Sequence, residues 1–554
     1  MLTSEAQDSS KTKPSLGLRG AMRYFVPIGL LVIYVAQCAW FIRTQSLTYD
    51  EPVHIAEGLN AWRNGRLEQY NDHPPLARLL VSLPLLDSKW NIDLEQLPEG
   101  FRVHQITPDP VSLAWRARSI NVVLGVLLGI LLWLEARKQF SSAAANFALA
   151  LFAFSPSLIA HFSLATTDGA ATLTIFATAV QLRRWCREPS WRNTLLLGAI
   201  LGLLLLAKFS TAPMFALAIA LLLVLGTGQI RWLPWKWNWR KTSVAIVVAC
   251  LVLWAGYFFH VSHLSIRDHV LTVAHPHWNA IMVKPTHDRL NISLWIPAGE
   301  YIAGFRDLVF HNAHGQPAFF LGQASRTGGW KLYYPVTILL KWPLVVLLVA
   351  ALGLFACLKR KVPTAPGFWL LFTFPALYFA LAIFAHFNIG ERHVLPLYPF
   401  ALLFAAAAGE YLRHIRWGVV LICALVVVNA ADILRYAPGY LSYMSIVVRP
   451  DSSYRFLSDS NVDWGQGLLA LRKYQEDHPG QHFVLAYFGS VDPQVYGIQV
   501  RPLAEDERTS GTVVVSATQL SGQYLRDPAA YRWVLHHKLN AVLDHSLYVF
   551  DVDH

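Results

Sequence analysis

Charged residues are scarce in this sequence. They make up 15% of its 554 residues, whereas 54% are hydrophobic and 20 are tryptophan. The apolar residues occur in runs close to the length that crosses about 30 Å of hydrocarbon. This composition excludes an ordinary soluble protein and predicts several membrane spans. The net charge of +11 is then no evidence for nucleic-acid binding, because cytoplasmic loops carry Lys and Arg for topological reasons.

Cysteine is also scarce, and several common motifs are missing. The five cysteines show no metal-ligand spacing and four lie in apolar runs, so neither a zinc site nor a disulfide framework is predicted. The chain has no internal repeat and no Gly-rich phosphate-binding loop, which argues against secondary transporters built from repeats and against a nucleotide-driven pump. No cleavable signal peptide is recognisable near Met1, so we expect the first span to be retained.

Apolar runs with polar or basic flanks predict eleven spans. They cover residues 24–42, 119–135, 142–160, 169–184, 194–207, 211–228, 242–262, 335–357, 367–385, 394–410 and 416–432. If every basic cluster between the runs is cytoplasmic, the N-terminus lies inside and the C-terminus outside. The stretch 194–228 is too long for one span and has basic flanks, so it is predicted to be a hairpin of two short helices.

This topology divides the chain into three parts. They are a cytoplasmic tail 1–23, a membrane domain 24–432 with external loops 43–118 and 263–334, and an outer domain 433–554. In the outer domain, residues 483–490 and 511–517 predict strands, and residues 468–475 and 524–538 predict helices. We therefore expect an α-helical polytopic membrane protein, with about 11 transmembrane helices and a small C-terminal α/β extracytoplasmic domain.

Ionisable residues collect at the predicted outer ends of the spans. Such groups at a lipid boundary usually line a substrate pathway or site. The residues concerned are Asp50, Glu51, His54, Asp72, His73, Asp168, Lys208, Glu391, Arg392 and His393. Four have ordinary structural alternatives: Asp50 and Asp168 as helix caps, Lys208 reaching the interface, and Arg392 as a surface partner of Glu391. The two His residues, without fixed spacing, are only a weak metal signal.

A glycosyl transfer outside the membrane would use these residue types. Nucleotide sugars are cytoplasmic, so an external reaction needs a membrane-carried activated sugar such as a polyprenyl phosphate sugar. The chemistry requires a carboxylate that deprotonates the acceptor hydroxyl and cations that stabilise the departing phosphate. Asp50 suits the first role, and Lys208 and Arg392 suit the second.

Short motifs resemble the protein O-mannosyltransferase and aminoarabinose (lipid A) transferase superfamily. They agree in order and predicted side over about residues 25–430, and bacterial members are the most similar. The motifs are Asp50-Glu51, Asn64-Gly65, Asp72-His73-Pro74-Pro75-Leu76, Thr167-Asp168, Leu206-Ala207-Lys208, Gly329-Trp330, Tyr333-Tyr334-Pro335, Lys341-Trp342-Pro343 and Glu391-Arg392-His393-Val394-Leu395-Pro396.

The resemblance implies a C-type glycosyltransferase fold, a dolichyl-phosphate-mannose-protein mannosyltransferase-like activity and particular site residues. Catalytic positions fall on Asp50, Glu51 and Asp168, and positions for the lipid phosphate on Lys208, Arg392 and His393. Donor or acceptor positioning falls on His54, Asp72 and His73, although many relatives have Tyr where this chain has His54. Residues 457–475 resemble the tails of bacterial members, with no role assigned.

We therefore predict an inverting transferase with Asp50 as general base. It moves one sugar, mannose or another hexose, from a polyprenyl phosphate donor to a hydroxyl of a protein, lipid or glycan. The predicted location is the bacterial inner (plasma) membrane, with the reaction at its outer face and no nucleic-acid partner. No particular cofactor is predicted, and a divalent metal ion stays open. The alternatives are a lipid or sugar transporter without bond cleavage, and a receptor or assembly scaffold that works through its outer domain.

Overall fold

The computed structural model describes eight stretches of the chain. They are residues 18–65, 67, 73–87, 89–97, 100–225, 239–274, 280–285 and 291–553. Within them the fold is mainly helical, with β-structure confined to the predicted external loops and the C-terminal region.

The chain begins with a long apolar helix followed by a structured loop. The elements are α1 (Leu18–Thr44), α2 (Glu51–Asn64), α3 (Leu76–Ser82) and a hairpin of β1 (Asn91–Leu97) and β2 (Gly100–Thr107). Helix α2 ends at Gly65, whose φ of 64° suits glycine. It packs closely on α3 at Gly58. A larger residue would not fit there, because a Cβ would lie only 2.0 Å from the Arg78 carbonyl oxygen.

The next seven helices form the first half of the helical bundle. They are α4 (Pro110–Gln139), α5 (Ser142–Ala153), α6 (Pro156–Phe162), α7 (Asp168–Arg187), α8 (Trp191–Ala207), α9 (Ala212–Leu225) and α10 (Trp239–Gly256). The chain turns by 63° between α5 and α6. Pro156 starts α6, and the Leu158 backbone N–H donates to the Ser155 hydroxyl, so a new helix begins there.

A four-stranded sheet, a helix and a short hairpin follow α10. Strands β3 (Val261–Arg267), β4 (Val270–Ala274), β5 (Ala280–Pro285) and β6 (Ile292–Pro297) form an antiparallel sheet in the order β5-β4-β3-β6. Then come α11 (Gly299–His314) and the short hairpin of β7 (Ala318–Phe320) and β8 (Gln323–Ser325).

Five further helices complete the bundle. They are α12 (Tyr333–Lys341), α13 (Leu344–Leu358), α14 (Thr373–Phe384), α15 (Tyr398–Leu412) and α16 (Gly418–Leu434). Helices α12 and α13 meet at an angle of 113°. Pro343 lies at this break, where it ends the first helix and precedes the second.

An apolar helix or bent helix pair lies at nearly every predicted span. Four described segments are long and apolar enough to cross a membrane: Tyr24–Thr44, α4, α10 and Leu395–Leu412; the bent pairs α5–α6 and α12–α13 raise the number to six. Shorter apolar helices cover Trp191–Ala207, Phe209–Leu223, Phe368–Phe384 and Gly418–Leu434. The predicted class, a polytopic helical membrane protein with a small C-terminal α/β domain, is confirmed.

Helix α7, at the predicted span 169–184, is more polar than a lipid-facing helix. Thr172, Thr174, Thr178 and Gln181 are all buried in it. The hydroxyls of Thr174 and Thr178 donate to backbone carbonyls one turn earlier. Because α4 and α8 pack around this helix, its polar side chains contact protein and need no apolar surface.

The C-terminal region forms a five-stranded sheet with helices beside it. Its elements are α17 (Leu468–Asp477), β9 (Phe483–Ala486), β10 (Arg501–Pro502), β11 (Gly511–Ser516), α18 (Ala517–Ser521), β12 (Lys538–Leu543) and β13 (Leu547–Val552). The order is β10-β9-β11-β13-β12, with β9 parallel to both its neighbours and β13 antiparallel to both of its own.

One predicted helix in this region is wrong. Residues 524–538 contain only a short 3₁₀ helix at Arg532–His536. Asp527 and Pro528 explain the difference: the Ala529 backbone N–H donates to the Asp527 carboxylate, and a proline in mid-pattern favours a turn over a helix.

The C-terminal sheet shares its core with the segment between α1 and α4. Leu47, Ile55 and Val103 pack in one cluster with Leu485 and Val514. Backbone hydrogen bonds extend this contact, since the Val103 N–H donates to the Ser490 carbonyl at 2.8 Å and the Asp492 N–H to the Val103 carbonyl at 2.9 Å. The two regions are therefore held together by a shared core and by backbone hydrogen bonds.

Candidate active site

Asp50 lies at the start of α2, but its side chain does not cap that helix. The carboxylate instead accepts a hydrogen bond from Arg392 Nη1 at 3.0 Å. Its side chain is 28% exposed. This geometry removes two of the structural alternatives, because Asp50 is no helix cap and the hydrogen-bonded carboxylate partner of Arg392 is Asp50 rather than Glu391.

Arg392 occupies a buried position between several acidic residues. Burial alone would lower its pKa, but the charges of Asp50, Asp168 and Asp459 outweigh that effect and hold the pKa above its usual value. The guanidinium group lies over the Trp464 ring, 4.2 Å from its centroid. Arg392 is therefore a permanent cation with an aromatic surface on one face.

Asp168 and Lys208 form a second buried ion pair. Lys208 Nζ donates to Asp168 Oδ1 at 2.6 Å. Lys208 lies in extended backbone between α8 and the next helical turn, so the break in this helix pair brings its ammonium group to the first residue of α7. Asp168 is therefore more than a helix cap, because its carboxylate pairs with the Lys208 amine. Lys208 does not extend to the membrane interface, because it is only 5% exposed.

Glu51 has a different environment from its neighbour Asp50. It is fully buried, and both its oxygens accept hydrogen bonds from Arg118, at 2.8 and 2.7 Å. It also accepts the backbone N–H groups of Thr48 and Ala165. Burial would raise the pKa of Glu51, but the Arg118 charge and these hydrogen bonds outweigh it and lower the pKa. Its carboxylate therefore ties the first external loop to α4 and to the turn before α7.

The predicted histidines lie at two places beside these ion pairs. His393 follows Arg392; burial and the charges of Lys208 and Arg392 lower its pKa, so it is neutral at pH 7. His54 and His73 have ring centroids 5.5 Å apart, and Arg78 Nε donates to His54 Nδ1 at 3.4 Å. Asp72 lies outside the described residues.

A divalent metal ion would need several oxygen or nitrogen ligands close together. Among the described residues, no group of three or more His, Cys, Asp or Glu side chains is arranged to hold a metal. Asp50 and Asp168 each face a cationic side chain instead.

Several residues of the site were not predicted from the sequence. Arg118 was missed, although an arginine inside an apolar helix is a usable signal. Asp459 and Trp464 lie in the C-terminal segment whose role was unassigned. His161 was also missed; it lies 3.8 Å from Glu391, a residue that was predicted at this face, and Lys341 lies 3.7 Å from the same carboxylate. These groups surround the predicted residues from the side of the helical bundle and from the side of the C-terminal region.

Comparison with known proteins gives one family match. A family model described as dolichyl-phosphate-mannose-protein mannosyltransferase matches residues 111–255. That range includes Arg118, Asp168 and Lys208. No curated protein sequence matches the chain.

Solved structures supply the comparison of folds. The Saccharomyces cerevisiae protein O-mannosyltransferase Pmt1-Pmt2 complex bound to the sugar donor aligns with a TM-score of 0.50 at 11% identity, covering 76% of this chain and 89% of that one. ArnT from Cupriavidus metallidurans bound to undecaprenyl phosphate has a TM-score of 0.45 at 12% identity, covering 96% and 98%. The Archaeoglobus fulgidus oligosaccharyltransferase in the apo form has a TM-score of 0.47 at 12% identity, covering 85% and 63%.

The family match and the fold define the class of protein. The chain is an integral membrane glycosyltransferase with the C-type fold, and the family that its residues 111–255 match is described by a dolichyl-phosphate-mannose donor. Within that class, the predicted resemblance to the protein O-mannosyltransferase and aminoarabinose transferase superfamily is confirmed.

Proposed function

We propose that this enzyme transfers a single hexose, such as mannose, from a polyprenyl phosphate to an acceptor hydroxyl at the outer face of a bacterial inner membrane, with inversion. In this orientation the N-terminus is cytoplasmic, and the acceptor is a protein, a lipid or a glycan. The observation that carries the proposal is the difference in exposure among the acidic residues. The Asp50 side chain is 28% exposed, whereas those of Glu51, Asp168 and Glu391 are exposed by 3% or less.

Asp50 is the carboxylate that an acceptor can reach from outside. In the proposed reaction, Asp50 removes the proton from the acceptor hydroxyl as its oxygen attacks the anomeric carbon. The bond between that carbon and the phosphate oxygen breaks, and the electron pair leaves with the polyprenyl phosphate. One displacement from the opposite face inverts the anomeric carbon.

Unsatisfied polar atoms indicate where the donor phosphate would bind. Arg392 Nε, His393 Nε2 and Asp168 Oδ2 are buried without a hydrogen-bond partner among the described residues. Each such atom costs about 1–3 kcal/mol unless something binds it. The Arg392 Nε–H group can donate to a phosphate oxygen, and neutral His393 can donate through Nε2 in one tautomer.

The two cations have complementary roles in this proposal. Arg392 shares its charge between Asp50 and the donor phosphate, so that phosphate binding weakens its hold on Asp50 and frees the base. Lys208, which is paired with Asp168, adds positive charge where the leaving group gains its negative charge. Asp168 positions Lys208, and its second oxygen is available to the acceptor.

The remaining predicted residues have supporting roles. Glu51, with all its contacts to Arg118 and the backbone, holds the segment that carries Asp50. His54, buried in α2, and His73, shortly before α3, position the donor or acceptor. Asp72 shares that predicted role from outside the described residues.

A comparison of Asp50→Asn with the wild type tests the proposal. Each purified protein receives radiolabelled polyprenyl-phosphate mannose and a mixed acceptor extract. We expect label to leave the lipid with the wild type and the rate to fall about 10²–10⁴-fold in Asp50→Asn, the range for loss of a general base. Glu95→Gln is the matched control, because Glu95 is an exposed acid on the first loop that pairs with His104.

The outcomes separate the alternatives. An Asp50→Asn protein that folds and keeps its transfer rate would remove Asp50 as the base. A folded wild type that consumes no sugar on any polyprenyl phosphate, but moves such lipids across proteoliposomes, would replace the transferase with the transporter.

A further inference from the structure

A polar segment of the C-terminal region is buried against the site. We call residues 458–466, SDSNVDWGQ, the buried turn. Its side chains are exposed by 3% or less, although most are polar. Buried polar groups are costly unless they are hydrogen-bonded, and this segment satisfies them with many bonds to other parts of the chain. Such extensive burial is not needed merely to connect α16 to the C-terminal sheet, so the segment is expected to have a further role.

Trp464 in the buried turn contacts Arg392 and the residue that precedes Asp50. Its ring lies 4.2 Å from the Arg392 guanidinium carbon. Its backbone carbonyl accepts the Tyr49 N–H at 2.8 Å, immediately before Asp50. One residue therefore supports the proposed base through the backbone and the phosphate-binding cation through its side chain.

Asn461 fixes the same cation from the other direction. Its side-chain oxygen accepts the Glu391 backbone N–H at 2.9 Å, and its side-chain nitrogen donates to the Tyr333 hydroxyl at 2.9 Å. The Asn461 carbonyl accepts from Lys341 Nζ at 2.5 Å. The backbone that carries Arg392 is thus attached to the buried turn one residue away from the guanidinium group.

The Trp464 ring over Arg392 would help that arginine to bind a phosphate. A guanidinium group donates hydrogen bonds from its edges, in its own plane. An aromatic ring instead stacks on the flat face of the group. A ring on the face of Arg392 therefore sets the plane of the group without using its N–H donors. It also removes side-chain freedom that phosphate binding would otherwise have to remove.

We propose that Trp464 is a positioning residue for Arg392, and that the external C-terminal region is in this way part of the donor-phosphate site. This inference rests on the proposed function, because it assigns Arg392 to the donor phosphate. It also means that the C-terminal region is required for full donor binding.

The test measures binding of undecaprenyl phosphate, without its sugar, to purified full-length variants in detergent. Trp464→Leu keeps an apolar side chain but loses the ring face, and Trp464→Phe restores a smaller ring. We expect the Kd to rise about 3- to 30-fold in Trp464→Leu, the range for a lost cation–π contact. The increase should be smaller in Trp464→Phe.

A second buried tryptophan provides the matched control. Trp185 is also buried, and its indole N–H donates to Thr194 at 2.9 Å. It lies 17 residues along α7 from Asp168, which is about 25 Å at 1.5 Å per residue. Trp185→Leu loses a tryptophan of the same size, so it reports on stability alone. Its Kd should equal that of the wild type.

A double-mutant cycle with Arg392→Lys decides whether Trp464 acts through Arg392. If it does, Trp464→Leu weakens binding much less in the Arg392→Lys background than in the wild type. Equal effects in both backgrounds, or an unchanged Kd in folded Trp464→Leu, would overturn this inference while leaving the proposed function intact. A wild type that binds no polyprenyl phosphate would overturn both.

Discussion

The buried ion pair between Glu51 and Arg118 gives the sharpest prediction about stability. Arg118 donates four hydrogen bonds of 2.7–2.8 Å, two to Glu51 and one each to the carbonyls of Gln45 and Ser46. Both side chains of the pair are fully buried. Glu51→Gln removes the negative charge but leaves the volume, so the Arg118 cation stays buried without a counter-charge.

The expected magnitude follows from this burial. Breaking one partner of a buried pair costs about 3–5 kcal/mol, because the remaining charge is uncompensated. Proteins are typically stable by only about 5–15 kcal/mol. We therefore expect Glu51→Gln to lose a large part of its stability, and Arg118→Met to lose a similar part.

The assay is unfolding of the purified proteins in detergent, with urea or heat, under identical conditions. The double variant Glu51→Gln/Arg118→Met should be more stable than the sum of the single losses predicts, because it leaves no buried charge behind. Arg116→Met is the control. Arg116 lies on the same helix, but it is 46% exposed and forms a surface pair with Asp87 at 3.5 Å, so its loss should cost under about 1 kcal/mol.

The opposite pattern would refute the reasoning. If Glu51→Gln unfolds like the wild type but transfers no sugar, then Glu51 acts in the chemistry, as the family resemblance implied, and the ion pair is not its main role. Additive losses in the double variant would likewise show that the two side chains do not act as a pair.

Two further predictions concern charge. Lys208→Ala should raise the KM for the lipid donor, and Lys208→Arg should restore part of the loss because it keeps a cation beside Asp168; an unchanged donor KM in Lys208→Ala would remove Lys208 from the site. In the C-terminal region, burial raises the pKa of Asp544 to about 7, and Gln45 donates to it at 2.9 Å. An acid with a raised pKa binds more protons when folded, so stability should fall as pH rises from about 4 to about 7 and then level off. Asp463, with its pKa raised to about 6, acts in the same direction. The apparent Tm from pH 4 to 8 should therefore fall less in Asp544→Asn, and an equal slope in both proteins would contradict this account.

The membrane part of the fold and the proximity of four candidate residues could be predicted from the sequence. Apolar runs report spans directly, since lipid requires long apolar surfaces. The ion pairs Asp50–Arg392 and Asp168–Lys208 join residues 342 and 40 positions apart. They were nevertheless grouped correctly, because the predicted topology placed all four residues at the same ends of their helices.

The partners of these residues could not be predicted, because they depend on packing. Two adjacent acids, Asp50 and Glu51, look equivalent in the sequence, but Glu51 turns inward to Arg118 while Asp50 turns to Arg392. Similarly, the buried turn reads as a polar loop, and only its contact with the helix ends makes it part of the site. The helix predicted at 524–538 was wrong for a local reason: Pro528 favours a turn, although the apolar residues around it have helical spacing.

The environment of Lys341 has a consequence for how the protein is made. Its ammonium group is fully buried and donates to the carbonyls of Leu441, Tyr443 and Asn461, between 100 and 120 residues later in the chain. At about 5–20 residues per second, those oxygens emerge from the ribosome roughly 5–25 s after Lys341 does. During that interval the nascent bundle holds a cation without these three acceptors. The surroundings of Lys341 are therefore complete only after residue 461 has been made, and a chain truncated after α16 would lack all three of these acceptors.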